Sequence, residues 1–229
     1  MPTLHDDEFG DIMIRRIKRA RSIQLHLRAG GKLEATMPPL TPLFLVKRLV
    51  ASSRTSIREL RASHPQIIYQ DGMQIGKSHW LKIDHSGTFS HKLRGQAIHI
   101  TIPSSIEPTD PLAQSEIQTG IIAALRKEAK SYLPRRLQYL ADEHGFHYQK
   151  VRFSHARSRW GSCSSNGTIS LNIALMRLDF DVIDYVLIHE LSHTREMNHS
   201  HAFWKLVESC DPAYKLHRTA LRKENPMIL

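Results

Sequence analysis

The residues Val186-Leu187-Ile188-His189-Glu190-Leu191-Ser192-His193 constrain this chain more than any other stretch. They set His-Glu-x-x-His inside an apolar helical pattern, and at ~100° per residue the two histidines fall ~40° apart, one turn from each other. Two neutral imidazoles so placed bind one divalent cation, with zinc the usual occupant. Glu190 stands beside the first of them, where its carboxylate can take a proton from a water on the ion. A third histidine, His199, follows after five intervening residues. In a chain with 15 His among 229 residues, composition alone produces the whole pattern about one time in three hundred.

Delivery of His199 requires a turn. Were the helix to continue, His199 would point ~80° away from His189, and Glu196 would lie nearer the metal face but ~10 Å along the axis, too far to share the ion. The helix is therefore predicted to end after about Glu196, with Asn198 in a left-handed conformation turning the chain back. The metzincin pattern H-E-x-x-H-x-x-G-x-x-H has the same spacing and uses glycine where this chain has Glu196. His201 is the competing third ligand and ranks behind His199.

Further motifs flank this centre in order. Ser158-Arg159-Trp160-Gly161-Ser162-Cys163-Ser164 and Leu171-Asn172 precede it; Arg195-Glu196-x-Asn198-His199-Ser200 and Phe203-Trp204 follow. Together they resemble the YgjP-like metallopeptidase-domain family, which is related to the SprT-like zinc proteins. The resemblance is strongest from Val151 to Tyr214 and reaches the N-terminal third through Arg19-x-Arg21, Asp71-Gly72 and Gly76. It implies an α+β fold: a β-rich N-terminal platform with one helix, then a zincin-like domain holding a small antiparallel sheet and the His-Glu-x-x-His helix. It also implies a substrate extended along a sheet edge around Trp160 to Ser164, with Arg157, Arg159, Trp160 and Ser162 as candidate contacts; the two arginines either meet acidic groups of that substrate, carboxylate or phosphate, or form ion pairs that brace the hairpin. Family members often carry a tryptophan near the end of the N-terminal helix, where this chain has Ser56-Ile57.

Composition narrows the setting. Hydrophobic content of 41% and charged content of 24% are those of a globular protein, and no run approaches the length of a membrane span. The polar, acidic start carries no secretory signal pattern. Two cysteines make no disulfide framework, so a cytoplasmic location is expected. Cys163 reads as a small packed residue, not a catalytic thiol. The net charge of +10 favours polyanionic partners, nucleic acid among them. Its densest stretch, Arg15-Arg16-Ile17-Lys18-Arg19-Ala20-Arg21, also reads as a strand with arginines on a solvated face, and lacks aromatic residues for base stacking.

Along the chain, Ile23, Leu25 and Leu27 alternate with polar residues, and Gly30-Gly31 turns the chain into Leu33, Ala35 and Met37. Thr41-Pro42 is the predicted cap of a helix to about Ala62, with Leu43, Val46, Leu49, Val50, Ile57 and Leu60 inward. Asp71-Gly72 marks a turn, Met73 to Ile83 strands around Gly76, and Leu93 to Ile102 a further strand. Prolines 103, 108 and 111 place a boundary between residues 1–110 and 111–229. Pro111 to Gly145 is a long helical pattern, kinked or split at Pro134. Phe146 to Phe153 is a predicted strand, and Asn166-Gly167 the turn of a hairpin. The metal-binding helix is expected to start at Asp179 or Asp181, with Asp184 and Glu196 as carboxylates orienting the imidazoles. Tyr214 is either a core aromatic or a phenol within reach of the reacting carbonyl oxygen.

The expected function is hydrolysis at a three-histidine zinc site: a metallopeptidase acting on peptide or protein, with Glu190 as general base. One alternative is a metal-dependent pyrophosphohydrolase of nucleoside triphosphates, an activity also attached to members of the resembled family. The other is a SprT-like protease module that works on DNA.

Overall fold

Short apolar alternations build the first sheet. In the computed structural model, which describes residues 2–27, 33–63 and 67–227, the chain divides after Ile68 into two units. The first contains β1 (Thr3–Asp6), β2 (Gly10–Arg16), β3 (Gln24–Leu27) and β4 (Leu33–Met37), ordered β1-β2-β4-β3. The expected hairpin is present as β3 and β4, with Leu25 opposite Ala35; its Gly30-Gly31 turn lies outside the described residues. β1 and β2 form a second hairpin that the sequence reading misses, and β2 runs parallel to β4. Arg15 and Arg16 lie on exposed positions at the end of β2.

The single helix expected after Thr41 is two, α1 (Leu43–Ser52) and α2 (Arg54–Ser63). Pro42 holds the cap position with no side-chain cap bond, and Ser53 breaks the run. The run Ser52-Ser53-Arg54-Thr55-Ser56 explains the break: Ser52 Oγ returns to the Leu49 carbonyl at 3.0 Å, competing with the helix's own bonds. Val46, Val50 and Ile57 are buried against Ile12, Ile14, Leu33 and Met37. Leu43 and Leu60, expected inward, are partly solvated at 38% and 37% exposure.

The second unit opens with β5 (Gln74–Ile75), β6 (His79–His85), β7 (Ser90–Arg94) and β8 (Ala97–Ile102), ordered β5-β6-β8-β7 with β6 and β8 parallel. Asp71-Gly72 turns as expected, and Asp71 Oδ1 accepts from the Ile83 amide at 2.7 Å. Leu93 to Ile102 is not one strand: Gly95, at φ 59°, turns β7 into β8. Next comes α3 (Pro111–His144), whose first turn is capped by Asp110 accepting from the Leu112 amide at 2.7 Å. It continues through Pro134 without splitting, and Gly145 ends it in a left-handed conformation. Leu133, just before the proline, and Leu137 and Leu140 after it are buried, so the helix is packed on both sides of Pro134. The expected boundary at residues 103–111 falls inside this unit, because α3 packs on β7 and β8.

The third sheet holds β9 (Lys150–Ser154), β10 (Gly161–Cys163) and β11 (Thr168–Asn172), ordered β10-β11-β9. β10 and β11 form the expected antiparallel hairpin, but β9 runs parallel to β11, so the sheet is mixed where a purely antiparallel one is expected. The reason is the 155–160 loop, which crosses the end of β11 instead of folding back beside β9. Asn172, fully buried, fastens it by donating to the Ala156 carbonyl at 2.7 Å and the Arg159 carbonyl at 2.9 Å. A 3-10 turn then leads to α4 (Phe180–Ser192), α5 (His201–Cys210) and α6 (Tyr214–Leu221). α4 packs among α3, α5, α6 and β10. No described helix is long and apolar enough to cross a membrane.

Candidate metal centre

α4 is placed by its apolar faces. Val182, Ile183, Val186, Leu187 and Leu191 are all buried, and Asp181 in the first turn complements the helix dipole. His189 and Glu190 lie in the last turn; His193 is the C-cap residue, still with helical dihedrals (φ −65°, ψ −16°). Its ring centroid is 4.9 Å from that of His189.

The helix stops earlier than the spacing predicts, and the cause is local. Ser192 Oγ bonds the Ile188 carbonyl at 2.8 Å and Thr194 Oγ1 the Leu191 carbonyl at 2.7 Å. The Thr194 amide turns to Leu191, three residues back, tightening the last turn. Asn198 is not left-handed; among the described residues only glycines have positive φ. The return is fastened instead by Arg195, which donates to the His144 and Gly145 carbonyls at the end of α3 and lies 4.5 Å over the Phe146 ring. Ser200 then caps α5, accepting from the Phe203 amide at 3.3 Å.

The result is convergence. One ring nitrogen from each of His189, His193 and His199 lies within 4.8 Å of the others. His189 Nε2 and His199 Nε2 face each other at 3.1 Å, close to the about 3.3 Å expected for two nitrogens each ~2.0–2.1 Å from a shared tetrahedral zinc. Phe203, fully buried, forms the floor, its centroid 5.0, 4.6 and 4.8 Å from the rings of His189, His193 and His199. Trp204 stacks on His199 at 5.6 Å. His201, the competing ligand, is exposed at the start of α5 and outside the cluster.

Burial keeps His189 and His193 neutral. Burial, then the neighbouring His193, His199 and Arg218, push His189 down to about 3. Burial also lowers His193, although the Glu196 carbonyl acts against it. At neutral pH both rings therefore present lone pairs, as ligation requires. Glu190 moves the other way: burial raises it to about 8, with Arg159 pulling it partly back. Its Oε2 is buried and has no hydrogen-bond partner among the described residues, so a cation at the histidines would supply the charge it lacks. An all-imidazole donor set with an orphaned carboxylate oxygen beside it fits a divalent metal ion.

Gly161 of β10 makes the fit of Glu190 possible. A Cβ there would lie 2.5 Å from Glu190 Oε1 and 2.7 Å from its Cγ. Trp160, Gly161, Tyr185, Val186, His189, Glu190 and Leu221 line a cleft of about 410 Å³.

The remaining expected residues fall out as follows. Trp160 is in the cleft wall, Ser162 on β10, and Arg157 and Arg159 are exposed on the loop before it. Neither arginine makes an ion pair among the described residues, so the role of bracing the hairpin finds no partner. Tyr214 is buried with its ring stacked on Trp204 at 5.7 Å. Cys163 is raised to about 11 by burial and then by Glu190, which leaves it a neutral thiol. Asp184 does not orient an imidazole; it binds Arg136 of α3 in a fork at 2.8 and 2.6 Å. The Glu196 carboxylate makes no such contact among the described residues either; its backbone carbonyl does, 3.1 Å from His193 Nδ1. Sequence reasoning misses Tyr185 and Leu221 of the cleft. Tyr185 was within reach, since it precedes His189 by one helical turn; Leu221, brought in by α6, carries no such signal.

The profile of the YgjP-like metallopeptidase domain matches residues 21–224. Among solved structures, the chain is similar to the metallopeptidase zymogen abylysin of Pyrococcus abyssi, at 29% identity over 38% of this chain and 90% of that one, with a TM-score of 0.36. None of the curated proteins compared matches.

Proposed function

The chain belongs to the YgjP-like metallopeptidase-domain family, and on that footing we propose that it is a zinc-dependent peptidase, zincin-like in its second unit, with His189, His193 and His199 as ligands and Glu190 as general base. The observation that carries this reading is the convergence of three imidazole nitrogens beside a buried carboxylate whose Oε2 has no partner. Three nitrogen donors suit zinc better than magnesium, which takes oxygen ligands; this weighs against the nucleotide alternative. Bound zinc supplies a Lewis acid that acidifies a water and polarises the scissile carbonyl.

The protein's own residues do the rest. Glu190 accepts the proton of that water at Oε2 and passes it to the leaving amine nitrogen. Phe203 and Trp204 hold the rings of the ligands in place. β10 is an outer strand of its sheet, so an extended peptide can add beside it and run past Trp160 and Ser162 into the cleft.

The test is paired. Glu190→Gln should keep zinc and lower hydrolysis of a denatured protein substrate by ~10²–10⁴-fold, whereas His193→Ala should lose both zinc and activity. Full activity in Glu190→Gln protein would remove the carboxylate from the mechanism.

A further inference from the structure

The cleft is walled by one carboxylate, Glu190, and flanked by two arginines that make no ion pair among the described residues. On the β10 side, Arg159 is exposed and immediately precedes the wall residue Trp160. Its backbone is fixed, because its carbonyl accepts from the buried Asn172 side chain at 2.9 Å, so the guanidinium is presented from a rigid loop. On the α6 side, Arg218 lies 4.4 Å over the Trp204 ring. That ring stacks on His199 at 5.6 Å, and Leu221, one helical turn after Arg218, is part of the cleft wall. The fields of the two arginines reach Glu190 and His189 respectively.

Neither guanidinium has an ion pair or side-chain hydrogen bond to protein among the described residues. A guanidinium held by an aromatic face, with its fork of donors unspent, is suited to bind a carboxylate in two-pronged fashion.

We propose that Arg159 and Arg218 form a carboxylate-recognition site spanning the cleft, so that the preferred substrate is a peptide bearing an acidic group close to the scissile bond. The acidic group is either an Asp or Glu side chain or the peptide's own C-terminal carboxylate. This rests on the peptidase reading above. Arg159 meets the carboxylate on the side of the added strand, and Arg218 on the side of the three histidines.

The experiment uses full-length, zinc-loaded Glu190→Gln protein and fluorescein-labelled peptides in three forms: internal Glu with an amidated C-terminus, internal Gln with an amidated C-terminus, and internal Gln with a free C-terminus. Anisotropy should show one carboxylate-bearing peptide binding at least tenfold more tightly than the amidated Gln peptide. Which of the two does so identifies the source of the carboxylate. Adding Arg159→Glu should abolish that advantage, and adding Arg218→Gln should reduce it, with zinc content measured in each variant to confirm an intact centre. Equal binding of all three peptides, or binding of none, overturns the proposal, as does displacement of the acidic peptide by a nucleoside triphosphate that binds more tightly. Digestion by the wild-type chain separates the two readings. Cleavage without acidic preference sinks this proposal alone, and tight acidic binding without cleavage sinks the peptidase reading alone.

Discussion

Residues from β1 to α2 and from β5 to α3 follow the same path: two hairpins, inner strands parallel, orders β1-β2-β4-β3 and β5-β6-β8-β7, then helix. Both also tie the turn of the first hairpin to the helix that follows, and they do so with opposite chemistry. In the first unit the turn carries the acids: Asp6 and Glu8 bind Arg54 at 2.9 and 2.7 Å, and Glu8 binds Arg58 at 2.6 Å, toward solvent. In the second the helix carries the acid. Glu128 of α3 is buried and accepts from the Lys77 and Ser78 amides, each at 2.8 Å, and from His79 Nδ1 at 2.6 Å. One topology thus tolerates a solvated tether or a desolvated one. The desolvated one belongs to the helix that continues for 34 residues and reaches the 3-10 turn, α4 and β9. Where a helix must place a metal centre, its register on the preceding sheet is fixed by a contact that is costly to break.

The largest predicted effect follows from that contrast. Glu128→Ala leaves the part-buried Lys77 and Ser78 amides and the buried His79 imidazole without their acceptor, and should cost about 3 kcal/mol in the unit that holds the centre; chemical denaturation followed by a probe near Trp204 reads it. Burial opposes ionisation of Glu128, but the bonds from His79, Lys77 and Ser78 outweigh it and hold its carboxyl below the ordinary 4.5. Its contribution is therefore complete above the unfolded value and is lost as pH falls below it. A Glu128→Ala variant as stable as wild type would mean the buried tether does not set the helix register.

A substitution confined to the site should separate chemistry from folding. Gly161→Ala forces the Glu190 side chain out of its place. Activity on a denatured protein should fall by roughly 10²-fold, the order expected for an ångström of misplacement, with zinc content and unfolding midpoint nearly unchanged. Retained activity would show that Glu190 has room the packing denies it.

Glu8→Gln should have the smallest effect. Arg58 and then Arg54 draw Glu8 down to about 2, yet the group is solvated, so screening takes most of the gain. What stability it gives is present above pH 4.5 and disappears as pH drops toward about 2. Denaturation of wild type and variant at low and high salt should therefore differ slightly at low salt and coincide at high salt. A large loss that persists in high salt would put the two tethers on an equal footing.

The part of this molecule legible in sequence is the part set by short spacing. His189, Glu190 and His193 lie within one turn and His199 follows after five residues, so the candidate cluster could be read before the fold, although the turn that delivers His199 could not. Gly145, Asn166-Gly167 and the Leu25–Ala35 hairpin were legible for the same reason. What escaped depends on distant partners or on competition for one carbonyl. Asp184 faces Arg136, 48 residues away, and no spacing indicates it. Ser192 and Thr194 hydroxyls end α4 before Glu196, and Glu196 serves His193 with its carbonyl, a group every residue carries. β9 lies parallel to β11 because Asn172 fastens a loop across the sheet end, and β1 was missed because Thr3-Leu4-His5-Asp6 has a single apolar residue.

Metal binding is the property on which the three imidazoles stand or fall. Zinc titration of the demetallated full-length chain, read by isothermal calorimetry, should give one site per chain, weakened by His199→Ala and abolished by His189→Ala/His193→Ala. Undiminished binding in the double variant, or no binding by the wild type, would contradict a centre built from these three imidazoles.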